Sequence, residues 1–197
     1  MKVAASLGMI VLFTTGFFGL DKLLCGRRFY DVSCALDRRV PLRPRWIWAY
    51  LLYYPLCVAP LFFPGLLDDD ALFLRAAAGY CLQFAAAWVI FILFPTNIPR
   101  GEVPGDSPSA RAVRGLYAVD SGYPIFPSLH VANSIYVACL AARLLPADWA
   151  ALFFAAAALV SASTVLIKQH YLADIPAGAL LGLAAFALAF FNWNRLG

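Results

Sequence analysis

The sequence predicts an all-α integral membrane protein, and three observations carry that prediction. Of the 197 residues, 63% are hydrophobic and only 13% are charged, whereas soluble domains carry about 25% charged residues. The mean hydropathy of +0.77 argues against intrinsic disorder, because disordered chains are poor in hydrophobic residues. Apolar runs recur between charged or proline-rich clusters, and their lengths are close to the roughly 20 residues that a helix needs to cross a bilayer.

Six such runs can be marked off, and we predict one transmembrane helix for each. Backbone groups in lipid must be hydrogen-bonded within their own segment, which favours helices. Pro55 and Pro60 should kink the second run, because proline lacks a backbone donor. The six predicted helices lie near residues 3–20, 46–64, 71–94, 128–145, 149–167 and 172–191.

We predict a single membrane domain over residues 1–197, because no linker or internal repeat separates two units. Residues 1–45 would form an N-terminal anchor span and a basic interfacial segment, and residues 46–191 would form the core. The N-terminal apolar stretch is too long for a signal peptide and lacks a small-residue cleavage site, so we expect an uncleaved anchor. The basic segment should lie among lipid headgroups, where it would also attract an anionic lipid.

Two short polar islands interrupt the apolar runs, and each holds one of the two histidines. The first, FPSLHVA, contains Ser128 and His130 at the start of the fourth predicted helix. Ser128 is well placed as an N-cap, and the N-terminus of a helix is a ready site for a phosphate group. Taken alone, a capped helix with an interfacial histidine explains this island equally well.

The second island, KQHYLADIPAG, begins at Lys168 and contains His170 and Asp174. A spacing of four residues places both side chains on the same side of a helix. A carboxylate bonded to one imidazole nitrogen fixes the tautomer and leaves the other nitrogen as a nucleophile or base. Ionisable residues at the edge of a bilayer indicate a functional site.

The fourth and fifth predicted helices are joined by the short turn LLPAD and should be antiparallel, which brings His130 and His170 to one membrane face. Arg100 from the preceding polar loop and Lys168 would add positive charge there. This combination suits a phosphate ester, because cations hold the oxygens while one histidine attacks and the other protonates the leaving group. We therefore predict a six-helix bundle with its active site at one membrane face.

FPSLH, followed forty residues later by KQHYLADIPAG, resembles the second and third signature motifs of the type 2 phosphatidic acid phosphatase superfamily. The resemblance covers about residues 46–191 and is strongest to the branch that includes inositol phosphorylceramide synthases. It implies a metal-independent site without a cofactor, in which His170 forms a phosphohistidine, Asp174 orients it and His130 is the general acid. The residues that the resemblance assigns to the phosphate are Arg100, Ser128 and Lys168.

The sequence departs from that family pattern at three points. Leu129 stands where the second motif usually has glycine, as in the ceramide-synthase branch. Ser163 and Thr164 align with a Ser-Arg pair, so an arginine is missing, and Lys168 would restore the charge without the bidentate grip of arginine. The first motif survives only as PTNIPRG, which contains Arg100.

The resemblance implies a membrane lipid phosphatase that hydrolyses a lipid phosphate or diphosphate through a phosphohistidine. Water as the acceptor makes the protein a phosphatase, whereas an acceptor alcohol makes it a lipid phosphotransferase that moves a phospho-headgroup. We favour hydrolysis because the chain is short and has no further domain for a second substrate. The lipid, the oligomeric state and the roles of Arg111 and Arg114 stay open.

Two other classes of function are consistent with the same residues. His130, His170 and Asp174 would suit an open catalytic zinc site, although Lys168 nearby argues against a cation. A transporter would place ionisable groups along a pathway, whereas here they cluster at helix ends. The expected partners are the bilayer and a lipid phosphate, and a net charge of +4 gives no reason to expect nucleic acid.

The distribution of basic residues leaves the orientation in conflict. Eleven of the fifteen basic residues lie on the histidine face, and the positive-inside rule would place that face in the cytoplasm. An anion-binding face is basic for chemical reasons, however, and bacterial members of the resembled family commonly face outward. We therefore expect a bacterial inner (plasma) membrane protein with an extracytoplasmic active site.

Overall fold

The computed structural model describes residues 1–24, 26–120 and 122–191. These residues form eight α-helices and no strand, which confirms the predicted mostly helical architecture. The helices are α1 (Lys2–Leu24), α2 (Ile47–Leu51), α3 (Tyr53–Val58), α4 (Asp70–Leu93), α5 (Pro108–Val119), α6 (Leu129–Leu144), α7 (Ala147–Leu166) and α8 (Asp174–Phe190).

Three helices of the described chain, α1, α4 and α7, are long and apolar enough to cross a membrane. They match the first, third and fifth predicted spans. Helices α6 and α8 match the fourth and sixth spans and are apolar, but they have only 16 and 17 residues. A straight crossing needs about 20. Six full-length spans are therefore not confirmed, and that number stays a prediction.

The second predicted span is divided into short helices at its prolines. Its residues form α2 and α3, with 3-10 turns at Pro44–Trp46 and Ala59–Phe62 on either side. Pro55 has no N–H to bond the carbonyl of Leu51, four residues earlier, and α2 ends at Leu51. Pro60 lies in the second 3-10 turn. The prolines therefore interrupt the helix in this segment, where the sequence analysis predicts kinks.

The polar connection between the third and fourth spans contains a helix that the sequence analysis missed. Helix α5 begins after Ser107, whose side chain accepts a hydrogen bond from the main-chain N–H of Ala110 at 3.2 Å. Its buried residues, with Val113 fully buried, pack against Ile47 and Ile167. Part of the connection is therefore a helix that packs against both α2 and the C-terminal end of α7.

Helix α6 lies at the centre of the bundle and packs against α7 on one side and α8 on the other. The side chains of Tyr136, Val137 and Leu140 on α6 are fully buried. Gly178 on α8 permits close approach, because a Cβ there would lie 2.5 Å from the main-chain oxygen of Ser128. The first turn of α8 is therefore held directly against the first turn of α6.

Helix α1 lies beside α4 and runs parallel to it. At one end, the Lys2 ammonium donates to the carbonyl of Leu67, just before α4. At the other end, Arg27 donates to the carbonyl of Ile92 at 3.1 Å. Helix α1 therefore covers the full depth of α4, although most of its own surface is exposed.

Candidate active site at the N-terminus of α6

The structure brings the two histidines together at one end of the bundle. His130 lies in the first turn of α6, and His170 lies in the loop between α7 and α8. The Nε2 atom of His170 is 3.4 Å from the Nδ1 atom of His130, and the ring centroids are 5.6 Å apart. The α6–α7 hairpin produces this contact, because α6 ends at Leu144 and α7 begins at Ala147.

The loop that carries His170 is fixed by the last turn of α7. The carbonyl oxygen of Thr164 accepts hydrogen bonds from the N–H groups of Gln169 at 2.8 Å and His170 at 3.1 Å. Lys168 has a φ of 55°, in the left-handed region that non-glycine residues rarely adopt. The chain therefore makes a tight turn here, and His170 is buried, with 6% of the residue exposed.

Asp174 holds one side of the His170 ring. Its Oδ2 atom lies 2.9 Å from Nδ1 of His170 and also accepts the main-chain N–H of Tyr171 at 3.0 Å. The Asp174 side chain is fully buried at the first residue of α8. Because an ionised carboxylate only accepts hydrogen bonds, it assigns the ring proton of His170 to Nδ1. The lone pair of Nε2 then faces His130.

His130 is oriented by two tyrosines that the sequence analysis missed. The hydroxyl group of Tyr50, on α2, is 2.7 Å from Nε2 of His130. The ring of Tyr53, on α3, lies beside the imidazole with a centroid distance of 4.4 Å. These residues carry no recognisable motif, and only the interruption of the second span by Pro55 indicated that this segment is unusual.

Asp174, His170, His130 and Tyr50 therefore form a row of hydrogen-bonded side chains rather than a ring. Asp174 contacts Nδ1 of His170 while His130 faces Nε2, so the carboxylate and the second imidazole lie on opposite sides of the same ring. Three metal ligands must instead converge on one point. No group of three or more potential metal ligands occurs in the described residues. The geometry does not support the zinc alternative.

Arg100 lies behind the loop that carries His170. Its guanidinium group donates to the carbonyl of Lys168 at 2.8 Å and to the side chain of Gln169 at 2.7 Å. It also forms an ion pair with Asp120 at 2.8 Å and donates to the Asp120 carbonyl at 3.3 Å. Four of the five N–H donors of this side chain thus bond protein acceptors. Arg100 anchors the loop from the side of the polar connection.

Lys168 is tied to the N-terminal basic segment. Its ammonium group donates to the main-chain oxygen of Asp37 at 3.0 Å. The Asp37 carboxylate in turn accepts the N–H groups of Leu172 at 2.8 Å and Cys34 at 2.7 Å. Asp37 is 6% exposed and was not identified from the sequence. It connects residues 34–37 to both ends of the short stretch that contains His170.

The environment of Asp37 favours its charged form. Burial raises the pKa of this carboxyl group, but the N–H groups of Cys34 and Leu172 and the charge of Lys168 lower it by more. The pKa therefore lies below its ordinary value of 3.8. Asp37 remains ionised through the neutral range and keeps both hydrogen bonds.

Ser128 is the N-cap of α6, as predicted. Its side chain accepts the N–H of Val131 at 3.3 Å, and the residue is fully buried. The first turn of α6, which carries His130, also has main-chain N–H groups without helical partners. Such groups at a helix N-terminus attract negative charge. Ser128 thus contributes to the site by shaping this turn.

Arg111 and Arg114 stabilise the connection before α5. Arg111 donates to the carbonyl of Asp106 at 2.8 Å. Arg114 donates to the carbonyls of Val103 and Gly105 and pairs with the Asp106 carboxylate at 3.0 Å. These contacts give both arginines a structural role within the loop.

A mostly apolar cavity of about 370 Å³ reaches the histidine pair. At this end it is lined by His130, His170, Tyr50, Gln169 and Asp120. The three residues predicted to bind phosphate do not line it. Arg100, Ser128 and Lys168 instead lie behind the wall, and their direct contact with a phosphate stays a prediction.

The helical fold and the row of ionisable side chains define a class of protein: a membrane protein whose site suits phosphoryl transfer. A family model described as the PAP2 superfamily matches residues 35–188, and the chain therefore belongs to this superfamily. The resemblance noted from the two motifs is thus confirmed. No curated protein and no solved structure matches the chain. Membership supports a phosphatase- or phosphotransferase-type reaction, and α1 lies outside the matched residues.

Proposed function

We propose that the protein is a membrane lipid phosphatase that hydrolyses a lipid phosphate or diphosphate through a phosphohistidine on His170, without a metal. One observation carries this proposal: Asp174 holds one nitrogen of His170 at 2.9 Å, while the other nitrogen faces His130 at 3.4 Å. A nucleophile, its orienting group and a proton donor are thus arranged in line.

In the first step, Nε2 of His170 attacks the phosphorus atom and a bond between them forms. The bond between phosphorus and the lipid oxygen, or the bridging oxygen of a diphosphate, breaks. Asp174 stabilises the positive charge that develops on the His170 ring. The phosphoryl group replaces the contact between the two rings, so that both imidazoles flank one phosphorus centre.

His130 supplies the proton to the leaving oxygen. It does so in its doubly protonated form, in which Nε2–H donates to the oxygen of Tyr50 and Nδ1–H points toward the site. After this transfer His130 is neutral, and Nδ1 can accept a proton. The Tyr50 hydroxyl group can donate or accept, so it remains bonded to His130 in both forms.

In the second step, water attacks the phosphorus atom and gives a proton to Nδ1 of His130. The bond between phosphorus and Nε2 of His170 breaks, and inorganic phosphate leaves. Both histidines return to their starting protonation states. An alcohol in place of water would yield the phosphate monoester of that alcohol. In the transferase alternative the substrate is a phosphodiester, so the group on His170 keeps its headgroup and the alcohol yields a new phosphodiester.

Charge and positioning around the phosphate come from several elements. The N-terminal turn of α6, capped by Ser128, presents N–H groups and the positive end of the helix dipole. In this proposal Arg100 and Lys168 add positive charge and fix the His170 loop. The substrate is a lipid because the cavity that meets the histidines has mostly apolar walls.

An inner-membrane location with an outward-facing site also remains part of the proposal.

The test is a phosphate-release assay with purified protein in lipid nanodiscs, using a panel of lipid monophosphates and diphosphates. Each substrate is assayed with and without a metal chelator and with and without acceptor alcohols. We expect inorganic phosphate despite chelation. Loss of activity on chelation would contradict the metal-independent mechanism, and a phosphate ester of the acceptor alcohol without free phosphate would contradict hydrolysis. Arg111→Gln, a change remote from the histidine row, is the control variant.

A further inference from the structure

The cavity at the histidine pair continues far beyond the residues that would handle phosphate. On α4 its lining residues extend from Phe91, at the histidine end, to Phe73, near the opposite end of the helix. At about 1.5 Å per residue, that separation corresponds to a depth of roughly 27 Å. One leaflet provides only about 15 Å of hydrocarbon, half of the usual 30 Å core. The cavity therefore extends well past the membrane midplane.

Helix α1 forms one wall along this depth. Its lining residues face α3 and α4 and extend over three turns of the helix: Ser6, Met9, Ile10, Phe13, Thr14, Phe17 and Phe18. The Ser6 hydroxyl bonds the carbonyl of Lys2 within its own helix at 3.0 Å, so it does not make the far end polar. Hydrocarbon is the chemistry that such a wall accepts.

Two contacts fix the position of this wall. A Cβ at Gly16 would overlap the ring of Trp88, so α1 approaches α4 closely at that point. One turn away, the ring of Phe13 stacks on that of Phe84 with centroids 4.0 Å apart. These contacts seat α1 at a defined distance from the cavity, although the helix packs against little else in the described chain.

This bore is one elongated space of about 370 Å³ between the histidines and Phe73. Its elongated shape fits an extended hydrocarbon chain. Near its mouth the wall carries the Tyr53 ring and Asn133. The amide of Asn133 is bonded to the Tyr53 hydroxyl and to Gln83. These side chains are neutral, and the Asn133 amide is hydrogen-bonded on both its nitrogen and its oxygen, so they place no charge beside an alkyl chain.

We propose that this cavity holds one extended hydrocarbon chain of the substrate, with its phosphate at the histidine pair, and that α1 sets the chain length that the protein accepts. The inference rests on the proposed function, because it takes the histidine pair as the phosphate end. It adds a specificity-determining wall that lies outside the residues matched to the family.

Three substitutions along α1 test whether this helix sets the accepted chain length. Ser6, Ile10 and Thr14 lie one turn apart on the cavity side of α1, so phenylalanine at each position should block the bore at a successively shallower depth. The substrates are unbranched alkyl monophosphates of increasing chain length. Val11→Phe is the matched control, because Val11 is 61% exposed and does not line the cavity.

We expect the longest accepted chain to shorten in the order Ser6→Phe, Ile10→Phe, Thr14→Phe. Beyond each cut-off, kcat/KM should fall by at least about tenfold, the usual cost of a misfit in an apolar pocket. Chains shorter than the cut-off should react within about twofold of the unsubstituted protein, well below that misfit cost. An unchanged cut-off in all three variants, or an equal shift in Val11→Phe, would overturn the inference.

4-Nitrophenyl phosphate separates this inference from the proposed chemistry, because it has no chain. Its hydrolysis by all variants shows that they are folded and that the histidine site is active. If the unsubstituted protein hydrolyses no phosphate ester, the proposed function fails, and the cavity is tested by binding alone. An alkyl phosphate with a photoreactive group at its chain end should crosslink to Ile10 or Thr14. Crosslinks confined to lipid-facing positions such as Val11 would contradict the bore.

Discussion

The histidine face and the α1 side of the bundle are built in different ways. At the histidine face, α6, α7 and α8 pack closely, and hydrogen bonds from Asp174, Thr164 and Asp37 hold the loop that carries His170. On the other side, α1 contacts mainly α4 and is largely exposed. In our proposals, the chemistry therefore depends on a closely packed scaffold, whereas recognition of the hydrocarbon chain depends on a peripheral helix.

The largest effect that we predict is from His170→Ala. Without Nε2 no phosphoryl-enzyme bond forms, and loss of a covalent nucleophile costs about 10⁴-fold or more in kcat. A phosphate-release assay with the preferred lipid phosphate measures this loss. Substitutions in α1 should leave this chemistry intact. Near-normal turnover in His170→Ala would contradict the assignment of the chemistry to the histidine face.

His130→Ala should cost less, about 10²- to 10⁴-fold, the usual contribution of a general acid–base group. The loss should also depend on the leaving group. A lipid alcohol needs a proton as it departs, whereas 4-nitrophenolate leaves readily without one. We therefore expect a smaller loss with 4-nitrophenyl phosphate than with a lipid phosphate. Equal losses with both substrates would contradict the assignment of His130 as the acid.

Tyr50→Phe should reduce kcat by about tenfold, because it removes one hydrogen bond worth roughly 1–2 kcal/mol from the His130 ring. The phenyl ring retains the packing of α2, so thermal stability should change little. The pH–rate profile is the informative measurement. A change at His130 shifts the acidic or basic limb of this profile, whereas a packing defect does not. An unaltered rate and profile would show that Tyr50 does not orient His130.

The smallest effect concerns stability at low pH. The pKa of Asp37 is lowered in the folded protein, so its stabilising contribution is present above its unfolded value, near pH 3.8. That contribution is lost as the pH falls through the lower folded value. Melting temperatures in nanodiscs should therefore decline over this range in the unsubstituted protein.

Asp37→Asn should weaken this pH dependence, because asparagine does not titrate. It should also lower the melting temperature at neutral pH, since the amide cannot accept both N–H groups of Cys34 and Leu172 with the strength of a carboxylate. Asp68→Asn is a control at an exposed carboxyl group on another segment. The same pH dependence in Asp37→Asn and the unsubstituted protein would show that Asp37 does not hold the His170 loop.

Local patterns predicted the parts of the site that lie within a few residues of each other. The four-residue spacing of His170 and Asp174 and the N-cap at Ser128 are short-range features that a sequence displays directly. The meeting of His130 and His170 followed from one short turn between two helices. These three features depend only on the geometry of helices and on short turns between them, which residue spacing in the sequence reveals.

Contacts between segments that are distant in the sequence could not be predicted from such local patterns. Asp37 contacts Leu172, 135 positions later in the sequence, and Tyr50 contacts His130, 80 positions later. No pattern within either segment marks its partner. Lys168 shows the same limit, because its position near His170 suggested a phosphate ligand, while the left-handed turn directs its ammonium group to Asp37.

The helix boundaries in residues 46–64 and in the polar connection were not predicted, for a different physical reason. Hydropathy detects residues 46–64 as one apolar run, but it does not register the missing backbone donors of its prolines. Pro55 lies where α2 gives way to α3, and Pro60 lies in the 3-10 turn after α3. Helix α5 was missed because its polar face resembles a loop. The Ser107–Pro108 pair at its start is the signal that would have located it.

The most direct test of the central claim is to trap the phosphoryl-enzyme. The protein is mixed briefly with a lipid phosphate labelled at phosphorus, quenched in base and digested, and the labelled peptide is sequenced by mass spectrometry. We predict that the label lies on His170, persists in His130→Ala and is absent from His170→Ala. Label on any other residue, or single-turnover hydrolysis with inversion at phosphorus and no labelled peptide, would contradict the account.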